Sequence, residues 1–204
     1  MRERLILLAA AIALVTGLSP SRAQALEAKD PSSLIANLVS EAVAEMKQPQ
    51  DSDEVRAAKF RALLEQGFDL PRISRFVLGR FWNTASDEER RRFTTLFENW
   101  VVRTYSARFR DYSGQTIKVT GTRPESDIST VVLSQFISPN APQPARVEWH
   151  VRKEGDGSFK VVDVSVEGVS MALTQRDEIA SVADRNGGTA NGLNKALEQR
   201  LAQQ

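Results

Sequence analysis

His150 is the single histidine of this 204-residue chain, and no cysteine accompanies it. An imidazole titrates near neutral pH, so a histidine beside a carboxylate is the smallest unit that can shuttle a proton. Residues 145–153 alternate, with Val147, Trp149 and Val151 on one face and Glu148, His150 and Arg152 on the other. Antiparallel pairing with residues 159–166 would bring His150 near Asp163, a pair suited to isomerase or dehydratase chemistry. Glu148 and Arg152 on the same face favour the plainer reading, a solvated sheet histidine. A zinc site would need further histidines or cysteines, and a calcium loop would need clustered acidic residues; the sequence has neither pattern. It also lacks the G-x-S-x-G elbow and the glycine-rich phosphate loop. Gly155-Asp156-Gly157 reads as a hairpin turn.

A second chemical feature is basic. Arg90, Arg91, Arg92, Arg103, Arg108 and Arg110 fall along one segment and could engage lipid phosphate, a membrane surface or an acidic partner. Asp87, Glu88 and Glu89 neutralise part of that charge, as on an ordinary solvated face.

The element that must position these groups is a helix over residues 86–109. Phe93, Leu96, Phe97, Trp100, Val101, Tyr105 and Phe109 recur in steps of three and four, which places them on one side. Ser86 and Glu89 form a capping box, and Asp87 and Glu88 suit the positive end of the helix dipole. Such a helix spans roughly 35 Å. So aromatic a stripe requires a broad apolar partner, and the β-rich segment that follows is the expected one.

Before it, Asp30-Pro31 opens a helix carrying Leu34, Ile35, Leu38, Val39, Ala42, Val43 and Met46 to Pro49. Ser52 or Asp53 opens a second that stops near Gly67, and Leu70-Pro71 a third closed by Gly79. Arg80-Phe81-Trp82-Asn83 reads as an aromatic hinge. After Gly114 the period becomes two: residues 116–122 form a strand, Arg123 to Ser126 a turn, residues 128–137 a second strand of ambiguous register. Residues 138–144, with three prolines, form a loop. Strands over 145–153 and 159–166 follow, then helices near 174–185 and through Leu193, Leu197 and Leu201. Helices grouped first and strands second predict an α+β domain, an antiparallel sheet of four or slightly more strands packed on helices.

The first residues read differently. Arg2 and Arg4 precede an uncharged apolar run from Leu5 to Leu18, and Ala23-Gln24-Ala25 has the small-x-small form of a signal-peptidase site. Cleavage after Ala25 leaves residues 26–204 as one domain. It removes three arginines and one glutamate, so the net charge of +1 gives way to a near-neutral chain, and nucleic acid is not an expected partner. With no cysteine there is neither a disulfide nor a lipid anchor attached through one. A periplasmic, soluble protein is the expectation.

The segment from Ile73 to Trp82, ISRFVLGRFW, followed by Ala85-Ser86-Asp87-Glu88-Glu89-Arg90 and the Phe93, Phe97, Tyr105 pattern, resembles the MlaC or toluene-tolerance family of periplasmic lipid-binding proteins. Val162 to Ser170, VDVSVEGVS, with Arg176 after it, is similar to that family's most recognisable signature. The likeness covers the whole mature chain, and the Asn186-Gly187-Gly188 tail resembles the branch associated with hopanoid biosynthesis. One departure is Ile179, where the family tends to carry an aromatic that bears on how one end of the pocket closes.

The resemblance implies a curved, NTF2-like or MlaC-like sheet with an apolar cavity between sheet and helices. It implies a monomeric shuttle holding the acyl chains of a phospholipid or related lipid, with no catalytic residue and no cofactor. Its implied partners are an outer-membrane lipoprotein complex and an inner-membrane ABC transporter with an MCE-domain subunit, met in transient docking. Facing periodicities, combined with the family analogy, place Val77, Phe81, Trp82, Phe97, Val101 and Tyr105 on the helical wall. Val131, Leu133, Val147, Trp149, Val164, Val169 and Met171 stand opposite. Two rival expectations are an enzyme acting on a hydrophobic lipid or hopanoid through His150 and Asp163, and an adaptor with a filled core that docks through its arginines.

Overall fold

A computed structural model describes residues 28–48, 50–107 and 112–203. The leader expected at residues 1–25, together with Arg108, Phe109 and Arg110, lies outside them.

The helix starts follow the capping signals. Helix α1 (Pro31–Met46) begins at Asp30, which accepts from the Ser33 amide at 2.8 Å while the Ser33 hydroxyl accepts from the Asp30 amide at 3.1 Å. Ser52 caps α2 (Asp53–Gly67), and Asp69 caps α3 (Leu70–Leu78). Gly79 ends α3 at φ 58°, ψ −128°, a conformation that disfavours any residue with a Cβ. The expected aromatic hinge is a single helical turn, α4 (Phe81–Thr84). In α5 (Asp87–Ser106) the capping box is as read, with the Ser86 amide donating to Glu89 at 2.7 Å and the Glu89 amide to Ser86 Oγ at 3.2 Å.

The strands run as a meander, β1 (Thr116–Ser126), β2 (Ser129–Ile137), β3 (Ala145–Lys153), β4 (Phe159–Val166) and a short β5 (Val169–Ser170), all antiparallel and adjacent in chain order. Helices α6 (Met171–Arg185) and α7 (Ala190–Ala202) complete an α+β fold with an open, curved sheet. Residues 123–126, expected to turn, instead continue β1. Pro124 is tolerated because β1 lies at the sheet edge, where its missing N–H breaks no inner ladder. Two register shifts, at Val119/Gly121 and Pro124/Ser126, interrupt the same strand. The ambiguous register of β2 resolves with Val132 opposite Trp149, and Trp149 opposite Val164, in one row facing the helices. Val131 takes the next row, opposite His150.

The core is divided. Leu34, Ile35, Leu38 and Leu63 pack onto Val132, Val151 and Val161 of the sheet. Phe93, Leu96 and Phe97 of α5 pack with Val77, Leu78, Phe81, Ile179, Leu193 and Leu197. The aromatic stripe therefore does not rest mainly on the sheet, as its sequence suggested. Its first turns are buried against α3, α6 and α7, with Phe93 and Phe97 rings stacked at 5.7 Å and Phe97 and Trp100 at 6.0 Å. The C-terminal helices offer that surface before the sheet can.

Candidate binding cavity

Between the sheet and the helices the close packing stops. The outer half of α1 leaves Val39, Ala42, Val43 and Met46 only half-buried, facing open space rather than packed side chains. With Phe60, Leu64 and Phe68 from α2 and its exit, Ile117 and Phe136 from β1 and β2, and Tyr105 and Trp149, they enclose a cavity of about 500 Å³. A second lobe of about 270 Å³ adjoins it. This one is lined by Leu70, Ile73, Phe97, Val101, Val164, Val166 and Met171, and it shares Phe60, Leu64, Phe68, Tyr105 and Trp149 with the first. Together they reach the size of ordinary small-molecule sites, roughly 300–1,000 Å³, with mainly apolar walls to which Tyr112, Gln115 and Thr116 add polar groups in the larger lobe and Asp163 and Gln175 in the smaller.

Trp149 is held in place. Its indole N–H donates to Ser134 Oγ at 3.0 Å, and Ser134 donates in turn to the Val147 carbonyl. Asp163 borders the second lobe but is fully engaged at the start of α6. It accepts from the Val164 amide at 2.8 Å, the Ala172 amide at 2.9 Å and the Ser170 hydroxyl. A carboxylate there suits the positive end of the helix dipole.

Of the thirteen residues placed on the pocket from sequence, Phe97, Val101, Tyr105, Trp149, Val164 and Met171 line these lobes. Val77 and Phe81 are buried in the helical core, and Trp82 packs against it beneath the guanidinium groups of Arg75 and Arg90. Val147 is buried in β3 without reaching either lobe. Val131 is fully buried between Arg123 and His150, and Leu133 lines a polar groove with Arg123, Arg146 and Glu148. Val169 is 60% exposed at the start of β5. Ile179 belongs to the helical core rather than to the cavity. Val39, Phe60, Leu64, Phe68, Ile117 and Phe136 were missed. An apolar stripe on α1 that is wider than a sheet contact needs was the available sign.

His150 and Asp163 are cross-strand neighbours, as the alternation predicted. Their side chains diverge. His150 Nδ1 lies 3.6 Å from Glu125 and Nε2 lies 3.4 Å from Ser165, while Asp163 is taken up by α6. The arginine face is also largely engaged within the chain: Arg92 binds Glu198 at 2.7 and 2.6 Å, Arg90 donates to the Trp82 carbonyl and Asp87, and Arg103 to the Leu201 carbonyl. Among the described residues no group of three or more His, Asp or Glu is placed to hold a metal, and no helix is long and apolar enough to cross a membrane.

The family model described as MlaC protein matches residues 36–199. The chain belongs to the MlaC family. Among solved structures it is similar to a phospholipid-binding protein from Ralstonia solanacearum in complex with a phospholipid, at 25% sequence identity and a TM-score of 0.71, covering 85% of this chain and 98% of that one. The two stretches that carry the MlaC resemblance meet in space. A Cβ on Gly79 would lie 3.0 Å from Nε of Arg176, whose guanidinium stands 5.1 Å above the Phe76 ring. This contact joins the C-terminus of α3 to the first turns of α6.

Proposed function

We propose that this protein carries a diacyl phospholipid, with its tails in the two apolar lobes and its head group outside. The reading is supported by one observation above all: two adjoining lobes with mainly apolar walls, parted by shared aromatic residues, in an MlaC-family chain similar to a phospholipid-binding protein. Each methylene moved out of water is worth about 0.8 kcal/mol, so a sixteen-carbon tail represents on the order of 12 kcal/mol that a lipid crossing an aqueous compartment unescorted would forfeit. Tails passing from a bilayer into an apolar lobe exchange one hydrocarbon setting for another. The net step lies near zero, as a reversible carrier requires, and no catalytic group takes part.

In this proposal residues 1–25 direct export to the periplasm and are removed. The mature chain then docks transiently, as a monomer, on an outer-membrane lipoprotein complex and on an inner-membrane ABC transporter with an MCE-domain subunit. Membership of the hopanoid-associated branch would make a hopanoid the alternative cargo. Native mass spectrometry of freshly purified mature protein, followed by extraction of the bound molecule, tests the reading. The expected result is one phospholipid per chain. An empty protein refutes it, and an extracted hopanoid replaces the phospholipid as cargo.

A further inference from the structure

The large apolar side chains that this chain leaves in water are not scattered. Of the eight exposed among the described residues, four, Phe76, Val166, Val169 and Leu173, gather where α3, β4, β5 and α6 pack together. Val166 and Val169 pair across β4 and β5, and Leu173 follows four residues on, in the first turn of α6. One turn further on the same side, Arg176 sets its guanidinium 5.1 Å above the Phe76 ring of α3. The patch thus runs unbroken from the sheet rim to α3, where singly exposed residues would need no explanation.

Two further features bear on what covers it. Its edge is basic: Arg72 and Arg75 share the exposed face of α3 with Phe76, on a helix without an acidic residue. Arg72 pairs with Asp69 at 2.7 Å, whereas among the described residues neither Arg75 nor Arg176 meets a carboxylate. Both lie over aromatic rings, Arg75 on Trp82 and Arg176 on Phe76, an arrangement that leaves their N–H edges free for an anion. The acids of this stretch of α6, Asp177 and Glu178, come after Arg176 and further from the sheet rim. The patch also backs onto the cavity. Val166 is 38% exposed and at the same time part of the smaller lobe's wall, and Met171, between Val169 and Leu173, lines that lobe as well.

Hydrocarbon for the apolar side chains and phosphate oxygens for the guanidinium groups occur side by side on any anionic bilayer, without a specially shaped partner. We infer that this patch docks on an anionic phospholipid surface, with Val169 and Leu173 entering the interface and Arg75 and Arg176 meeting phosphates. Contact there lays the smaller lobe against the membrane, a role that rests on the carrier reading above, although the docking itself does not. Docking sets how fast lipid passes; the lobes set how much is held.

The test is co-flotation of the mature protein with vesicles of equal parts dioleoyl phosphatidylcholine and dioleoyl phosphatidylglycerol, and with vesicles of the phosphatidylcholine alone. Wild type is expected to float with the anionic vesicles, to do so far less with the neutral ones, and to be released by added salt. Leu173→Asp and Val169→Asp are each expected to weaken binding roughly tenfold, and Arg75→Gln about fivefold on anionic vesicles only. An aspartate at position 173 suits the first turn of a helix, so that variant is expected to keep the wild-type urea midpoint. No flotation of wild type, equal flotation with both vesicles, or wild-type binding by the Leu173 and Val169 variants overturns the inference. Protein that carries lipid but never floats leaves the carrier reading standing, and protein that floats but is purified empty overturns that reading alone.

Discussion

Trp149 and Ser134 are joined by an indole N–H to hydroxyl hydrogen bond of 3.0 Å, and that hydroxyl is tied onward to the Val147 carbonyl. The pair fixes the ring that both lobes share. Ser134→Ala leaves the indole N–H without its acceptor in a site that is 1% exposed. A loss of about 1–3 kcal/mol in stability is expected, read from the urea midpoint at constant slope, and an unchanged midpoint would show that water replaces the hydroxyl.

Val164 and Val169 lie five residues apart but have opposite surroundings, one in the lobe wall and one 60% exposed. Val164→Asp sets a carboxylate against hydrocarbon and is expected to abolish lipid co-purification in a folded protein. Val169→Asp is expected to keep wild-type lipid content. Equal behaviour of the two variants would remove Val164 from the site.

Gly79 tolerates φ 58° because it has no Cβ, and the space a Cβ would take already touches Arg176. Gly79→Ala is expected to cost about 1–3 kcal/mol, measured by thermal or urea unfolding. A variant as stable as wild type would show that α3 can end in another way.

Acid should loosen the helical half. Hydrogen bonds from Arg92 hold the Glu198 carboxyl below its ordinary value, and hydrogen bonds from the Ser86 amide and hydroxyl do the same for Glu89. A depressed carboxylate adds stability that is complete above the unfolded value near 4.5 and is lost as pH falls through the lower folded value. Both groups remain in contact with solvent, so the effect is modest and salt-sensitive. Glu198→Gln is expected to flatten the fall of the urea midpoint below about pH 4.5; the same slope as wild type would refute the assignment.

Much of the fold could be read from local chemistry. Asp30 with Ser33, Ser52, Asp69, and Ser86 with Glu89 each mark a helix start because a side chain satisfies a free amide there, and that interaction needs no tertiary context. The alternation of β3 placed Trp149 and His150 on opposite faces, and the register to β4 followed from a short hairpin. Partners were harder. The period of α5 identifies which side is buried but carries no information on what covers it, and Ile179, Leu193 and Leu197 arrive from helices more than 70 residues later.

The candidate site was half legible for the same reason. Val131 and Val132 are adjacent, apolar and equally buried, so only the pairing of β2 decides that one faces helices and the other lies under Arg123 and His150. Val77 and Val101 have the same character in sequence, yet one fills the core and the other borders a void. Periodicity reports a dry face and is silent on whether the space beyond it is filled.

The sheet of this protein is unclosed, and its long outer strand β1 holds Pro124, two register shifts and an exposed Lys118. A foreign chain laid against it would meet an absent donor, broken spacing and a cation within a few residues, while β5 at the far side offers only two residues. Addition of further strands is opposed at both rims, so crowded copies are discouraged from joining edge to edge into fibrils.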